Sequence, residues 1–207
     1  MVAVFLYFCK QTSGFNFTLF IFPGRGEAMF QRSRVHCLSE ITDFLFVTSF
    51  RGADSPTALR AKGITCIINA TCDKHTNHDM SGFDVISIPV NDVPEANLRQ
   101  YFDVVAEKIR SVKKDGGKTV VHCHAGRSRS VTLVLAYLMR CEHMTLHDAY
   151  KLVKLRRELV RPNIGFWIQL CHYEKKMYGK NSVQMIPSPI GTIPDVYSNE
   201  TKNMWPI

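Results

Sequence analysis

The chain has 207 residues, with 26 Lys and Arg against 18 Asp and Glu, a formal charge of +8 and a pI near 9.2. That length builds one sizeable hydrophobic core and excludes two of ordinary size, while the charge favours acidic partners such as phosphorylated acidic loops, anionic lipid or nucleic acid. Seven cysteines, without framework or metal-ligand spacing, exclude a full set of disulfides and a zinc site, and point to a reducing compartment.

Met1 to Cys9 is apolar, Lys10 to Gly14 interrupts it, and Phe15 to Phe22 is apolar again. Neither run reaches the roughly 20 apolar residues of a membrane span, and no basic stretch opens the chain as in a secretory signal. Pro23-Gly24-Arg25-Gly26 reads as a break. Residues 1–34 are expected to form a poorly ordered extension. A membrane-associating tail or an added strand are the alternatives.

Leu38 to Thr42 leads into a first strand at Phe44 to Val47. Asp54-Ser55-Pro56 is a helix start with proline just inside. The short helix Thr57 to Ala61 ends at Gly63, and Ile64 to Asn69 reads as a buried strand. Asp73 to Gly82 is polar; His75 and His78 lie in it without a third ligand nearby, so solvated histidines are expected there rather than a metal site. Phe83 to Val90 alternates Val85, Ile86, Ile88 and Val90 as another strand and ends in Asn91-Asp92-Val93-Pro94. Phe102, Val105, Ile109 and Val112 give a helix from about Leu98 to Lys113 its apolar stripe.

The stretch from Lys118 to Met139 organises the rest. After the turn Asp115-Gly116-Gly117, Lys118 to His122 is a short β-branched run, and from Val131 the chain is apolar nearly all round, as in a helix buried in a core. Between them Cys123 and Arg129 stand six positions apart, with Gly126 inside and Ser130 following. A tight strand-to-helix loop of this kind can point successive backbone N–H groups at one centre, and the helix adds the positive end of its dipole. The backbone of His124, Ala125, Gly126, Arg127 and Ser128 would hold a phosphate, with Arg129 gripping two oxygens as a fork. A thiol at a helix N-terminus can have its pKa lowered to between roughly 3.5 and 7.5. Cys123 is therefore expected to be a thiolate that attacks phosphorus, and Ser130 to hydrogen-bond the departing sulfur. Cys66 and Cys171 read as inert core residues.

Thr145 to Asp148 resembles a capping box with Asp in place of Glu and opens a helix to about Arg157, with Leu146, Ala149, Leu152 and Val153 inward. Lys151, Lys154, Arg156, Arg157 and Arg161 form a basic cluster that suits either a phosphoprotein face or a solvated helix face. Arg161-Pro162-Asn163 breaks the chain before an amphipathic helix, Ile164 to Tyr178, that buries Phe166, Trp167, Leu170 and Tyr173. After Gly179, Pro187, Pro189 and Pro194 forbid a regular helix.

The loop, the Ala136-Tyr137-Leu138-Met139 of its helix, Arg161 to Leu170, Gly63 to Thr71 and Ile193 to Thr201 together resemble the dual-specificity protein phosphatases of the cysteine-based protein tyrosine phosphatase superfamily. The likeness is greatest to the small atypical members without a separate kinase-docking domain, and it runs from about Leu38 to the C-terminus. It implies an α/β fold in which helices flank a central, mostly parallel sheet. The implied catalytic domain spans residues 35–180, with a tail, 181–207, packed on it in part.

The resemblance also implies metal-free, cofactor-free hydrolysis of phosphotyrosine and phosphoserine or phosphothreonine, on signalling kinases such as MAP kinases. The family's general acid falls at Asp92, with Glu95 and Asp103 as weaker rivals. The departing oxygen must be protonated as the P–O bond breaks, and a carboxylic acid above the loop can do so. From spacing alone, a turn cap is an equal reading of Asp92. Asn163, and His122 before the cysteine, are implied as supporting residues. His124 and Arg127 stand where relatives carry small or apolar residues, and they motivate a second reading: a phosphoinositide or RNA 5′-end phosphatase. A phosphoprotein-binding scaffold without catalysis is a third. The expected location is the cytoplasm, with the nucleus open and the apolar N-terminal tail leaving membrane or organelle association open. Phosphorylated proteins are the expected partners, acidic or anionic-lipid surfaces come next, and nucleic acid is not expected.

Overall fold

The computed structural model describes residues 36–73 and 80–198. The expectations for residues 1–34, for His75 and His78, and for the end of the tail lie outside the described residues.

Leu45–Ser49 (β2), Ile64–Asn69 (β3), Asp84–Ser87 (β4) and Lys118–Cys123 (β5) run parallel in the order β2-β5-β3-β4. The two-residue strand Ser39–Glu40 (β1) pairs antiparallel outside β2. β5 is therefore the middle strand, and it is buried on both faces. Val121 and Cys123 belong to the larger core, while Val120 joins Phe46, Leu59, Ile64 and Ile67 on the other side. Burial on both faces is why β2, β3 and β5 read as continuous apolar runs.

Among the described residues, these helices accompany the sheet: Phe50–Ala53 (α1), Pro56–Ala61 (α2), Phe102–Lys114 (α3), Arg129–Glu142 (α4), Leu146–Arg156 (α5) and Ile164–Tyr178 (α6). α4 is buried at every position from Arg129 to Met139, with α3, α5 and α6 packed around it. This is the expected α/β architecture of a mostly parallel sheet with flanking helices. The loop between β5 and α4 lies at the C-terminal end of the central strand, where open α/β sheets bind ligands.

Several boundaries differ from the expectations. β4 stops at Ser87 rather than Val90. The chain nonetheless continues inward: Ile88 N donates to Asn69 O at 2.8 Å, and Ile88 and Val90 are buried. α3 begins at Phe102, after a 3-10 turn at Arg99–Tyr101. α2 starts at Pro56 with Ser55 at its cap position, but the serine side chain makes no cap bond. α1 was not foreseen; four residues are too few to show a helical period, and it is held by Ser49, whose side chain accepts from Gly52 N.

Beyond α6, Met185–Ser188 (β6) and Gly191–Pro194 (β7) form a hairpin, and a 3-10 turn at Asp195–Tyr197 follows. Tyr197 is buried, and its hydroxyl accepts from Trp167 Nε1 at 2.9 Å. The buried Glu174 carboxylate accepts from Leu146 N and from both Ser182 N and Ser182 Oγ. One carboxylate thus caps α5 and ties the start of the tail to α6.

Candidate active site

Cys123 ends β5, is 1% exposed, and its Sγ lies 3.2 Å from Ser130 Oγ in the first turn of α4. The five residues between Cys123 and Arg129 turn sharply. Gly126 takes φ 64°, and a Cβ there would fall 2.4 Å from Thr48 O and 2.7 Å from the Arg157 guanidinium. Only glycine fits so close an approach in the left-handed region.

Four of the loop's carbonyls are held by donors outside it, and the fifth, that of Ser128, by the first turn of α4. His124 O accepts from Phe50 N at 3.2 Å, Arg127 O from Arg161 N at 2.8 Å, and Ser128 O from Thr132 N at 2.9 Å. Ala125 O and Gly126 O accept from Arg157 NH2 and Nε, at 3.1 and 2.7 Å. In a trans peptide the next N–H points opposite to the carbonyl. Five outward carbonyls therefore turn five successive N–H groups toward the loop's own centre, which is an anion-binding arrangement.

Arg129 is nearly buried. Its NH1 donates to Val90 O at 2.9 Å, and its Nε lies 3.5 Å from Asp92 Oδ2. Asp92 Oδ1 accepts from Ser128 Oγ at 2.7 Å and from Asn163 Nδ2 at 2.8 Å. Asn163 N in turn donates to Ser128 Oγ at 3.1 Å. Asn163 also caps α6, accepting from Phe166 N. The loop carrying Asp92 is braced from below, because Gly165 sits so close that a Cβ would fall 1.9 Å from Pro94 O. The β4–α3 loop, the β5–α4 loop and the start of α6 thus meet at one carboxylate.

The rivals of Asp92 lie elsewhere. Glu95 lines a depression of about 360 Å3 bounded by Val90, Val93, Asn97 and Tyr101. Asp103 on α3 accepts from Tyr173 OH and pairs with Arg140. His122 is fully buried on β5, edge-on to the Phe50 ring at 6.0 Å. His124 and Arg127 are both exposed, and Arg127 Nε donates to Leu159 O at 2.9 Å.

The family model for the catalytic domain of dual specificity phosphatases matches residues 45–176. Dual specificity protein phosphatase 14 of Mus musculus is 47% identical over 169 residues, 82% of this chain and 85% of that protein. Dual specificity protein phosphatase 18 of Rattus norvegicus is 42% identical over 178 residues, 86% of this chain and 87% of that protein. The crystal structure of human DUSP28 superposes with a TM-score of 0.64 at 31% identity, covering 68% of this chain and 94% of that one.

The chain belongs to the dual-specificity phosphatases. It has the cysteine-phosphatase fold of that family, it is a dual-specificity protein phosphatase, and its substrates are phosphoproteins.

Arg157 of this phosphatase departs from the expectation of a solvated or partner-facing cation in a basic cluster. It is 3% exposed, and beyond the two loop carbonyls its NH1 donates to Cys37 O at 3.2 Å and to Ser39 Oγ at 3.0 Å. Burial pushes its pKa below the ordinary guanidinium value, against the opposing pull of Cys123. Nothing in Leu155-Arg156-Arg157-Glu158 marks which charge turns inward, because the chain has just left α5 and no helical period applies. The hydroxyl of Ser128, expected only to lend its backbone, is a second unforeseen contact to Asp92.

Proposed function

We propose that this phosphatase works in two steps through a cysteinyl-phosphate. Cys123 Sγ attacks phosphorus, an S–P bond forms and the P–O bond to the protein side chain breaks. Asp92 gives its proton to the departing phenol or alcohol oxygen. Water then attacks the phosphoenzyme, Asp92 takes back a proton, and the S–P bond breaks with Ser130 hydrogen-bonded to the leaving sulfur. Arg129 grips two phosphoryl oxygens while the loop N–H groups hold the charge that develops, and this preorganised field supplies much of the rate. The observation that carries the reading is the Cys123 sulfur at the end of the middle strand, 3.2 Å from Ser130 Oγ, in a loop whose carbonyls are all held outward.

The proposed substrates are phosphotyrosine and phosphothreonine or phosphoserine on signalling kinases such as MAP kinases. The formal charge of +8 suits their acidic phosphorylated loops. A reducing, cytoplasmic setting is the one that suits seven cysteines without framework spacing. The phosphoinositide or RNA-end reading rests on His124 and Arg127, and the bond from Arg127 Nε to Leu159 O weakens it by engaging one face of that guanidinium with protein.

The test is phosphate release from a doubly phosphorylated Thr/Tyr peptide and from a phosphoinositide. Release from the peptide by wild type and none by Cys123→Ser supports the proposal. Faster release from the lipid, lost on changing His124 and Arg127 to Ala, favours the second reading. Equal capture of the peptide by wild type and Cys123→Ser, with no release by either, favours the scaffold.

A further inference from the structure

We infer that Arg157 is a positioning residue for the phosphate loop: its guanidinium holds the Ala125 and Gly126 carbonyls outward and thereby aims the Gly126 and Arg127 N–H groups at the phosphate. The inference rests on the reading of residues 123–130 as the phosphate-holding loop.

Two neighbouring peptide carbonyls accept from one planar group, Gly126 O from Nε at 2.7 Å and Ala125 O from NH2 at 3.1 Å. A rigid fork of N–H donors suits that pair, and an ammonium on a flexible stem does not. The guanidinium is itself fixed on its far side by NH1, which donates to Cys37 O and Ser39 Oγ. Cys37 O is fixed in turn by Thr48 Oγ1 at 3.0 Å. Thr48 pairs in register with His122, one residue before the cysteine. The clamp therefore runs from the sheet, through segment 37–39 and Arg157, to the middle of the loop. Gly126 lies directly against it, since a Cβ there would come within 2.7 Å of NH2.

Without this clamp two carbonyls beside a buried site lose their donors, a state they relieve by rotating their peptides. A rotated peptide presents oxygen instead of N–H to the phosphate and replaces attraction with repulsion. Arg157 donates from Nε, NH1 and NH2 to the protein's own acceptors, so it acts on the reaction through the loop and not by touching substrate.

The experiment uses the full chain and two variants, Arg157→Lys and Ser39→Ala. The readouts are kcat and KM on 4-nitrophenyl phosphate and on singly and doubly phosphorylated peptides, orthovanadate inhibition, and the melting midpoint. For folded Arg157→Lys we expect kcat to fall about tenfold to a hundredfold on all three substrates, with orthovanadate affinity falling in parallel. A loss confined to the doubly phosphorylated peptide, with orthovanadate affinity intact, would show that Arg157 contacts substrate and would overturn the inference. So would undiminished activity. If Arg157→Lys does not fold, Ser39→Ala decides: orthovanadate affinity weaker by about threefold, the scale of one neutral hydrogen bond, supports the clamp, and unchanged affinity refutes it. A wild type whose turnover survives Cys123→Ser would sink the underlying phosphate-loop reading instead, which keeps the two failures distinct.

Discussion

The Asn163 side chain donates to the Asp92 carboxylate at 2.8 Å, across 71 residues of chain. The same side chain accepts from Phe166 N at 3.0 Å as the cap of α6. One amide therefore holds a helix and a carboxylate together, and a substitution can separate the two tasks. Asn163→Asp keeps the cap acceptor, because Asn and Asp cap equally well, so α6 should keep its cap, and any loss of stability should come from the two facing carboxylates and ease as pH falls and one is protonated. It also removes the donor and sets a second carboxylate against Asp92, and kcat should fall about tenfold or more, the worth of a charge-assisted hydrogen bond. Urea unfolding and steady-state rates on one preparation check both halves.

Asp92 should matter in proportion to how badly the leaving group needs a proton. Asp92→Asn should slow release from phosphotyrosine and phosphothreonine peptides by roughly 10²–10⁴-fold. On 2,4-dinitrophenyl phosphate, whose phenolate departs unaided, the loss should nearly vanish. A uniform loss on both substrate types would reduce Asp92 to a structural brace of Ser128 and Asn163.

Gly165 bears on the same carboxylate from beneath. At its position in the first turn of α6, alanine would be favoured by about 1 kcal/mol on helix propensity alone. In this fold the added methyl meets the Pro94 carbonyl at 1.9 Å, so the loop two residues past Asp92 must lift. Gly165→Ala should cost about 1–3 kcal/mol of stability through overpacking. It should also lower kcat by up to about a hundredfold through the displaced acid. Melting and kinetics of that variant test the pair of effects.

How far the sequence could be read follows from where the information lies. Ile64 to Asn69 and Ile164 to Tyr178 emerge with the expected limits, because a strand buried on both faces and a helix bounded by Asn163 and Gly179 declare themselves locally. The loop from Cys123 to Ser130 is equally local, since strand, glycine, arginine and helix follow without a gap. Arg157 could not be read, because its partners, Gly126 and Ser39, lie 31 and 118 residues away. The short β4 reflects a similar limit: alternation predicts pairing through Val90, but the ladder stops at Ser87 while burial continues to Ile88 and Val90 without it.

Two core thiols predict a response to alkaline pH. Burial, then Asp84, pushes the Cys66 thiol up to about 11 from an ordinary value of 9.0. Burial, then Glu174 and Asp195, pushes Cys171 up to about 11. A proton held more tightly in the folded chain contributes fully below the unfolded pKa, and the contribution is lost as pH rises from about 9 to about 11. The slope should be on the order of 1.4 kcal/mol per pH unit for each thiol. Urea midpoints across that window, for wild type and for a Cys66→Ala, Cys171→Ala double variant, should diverge, with wild type falling faster.

The most direct test of the central claim is to catch the phosphoenzyme. Wild type is mixed with a doubly phosphorylated Thr/Tyr peptide, quenched in acid during turnover, digested and mapped by mass spectrometry. A phosphoryl group on the peptide containing Cys123, absent from Cys123→Ser together with all turnover, is the predicted result. Turnover that survives Cys123→Ser, or a phosphoryl group trapped on another residue, would contradict the account.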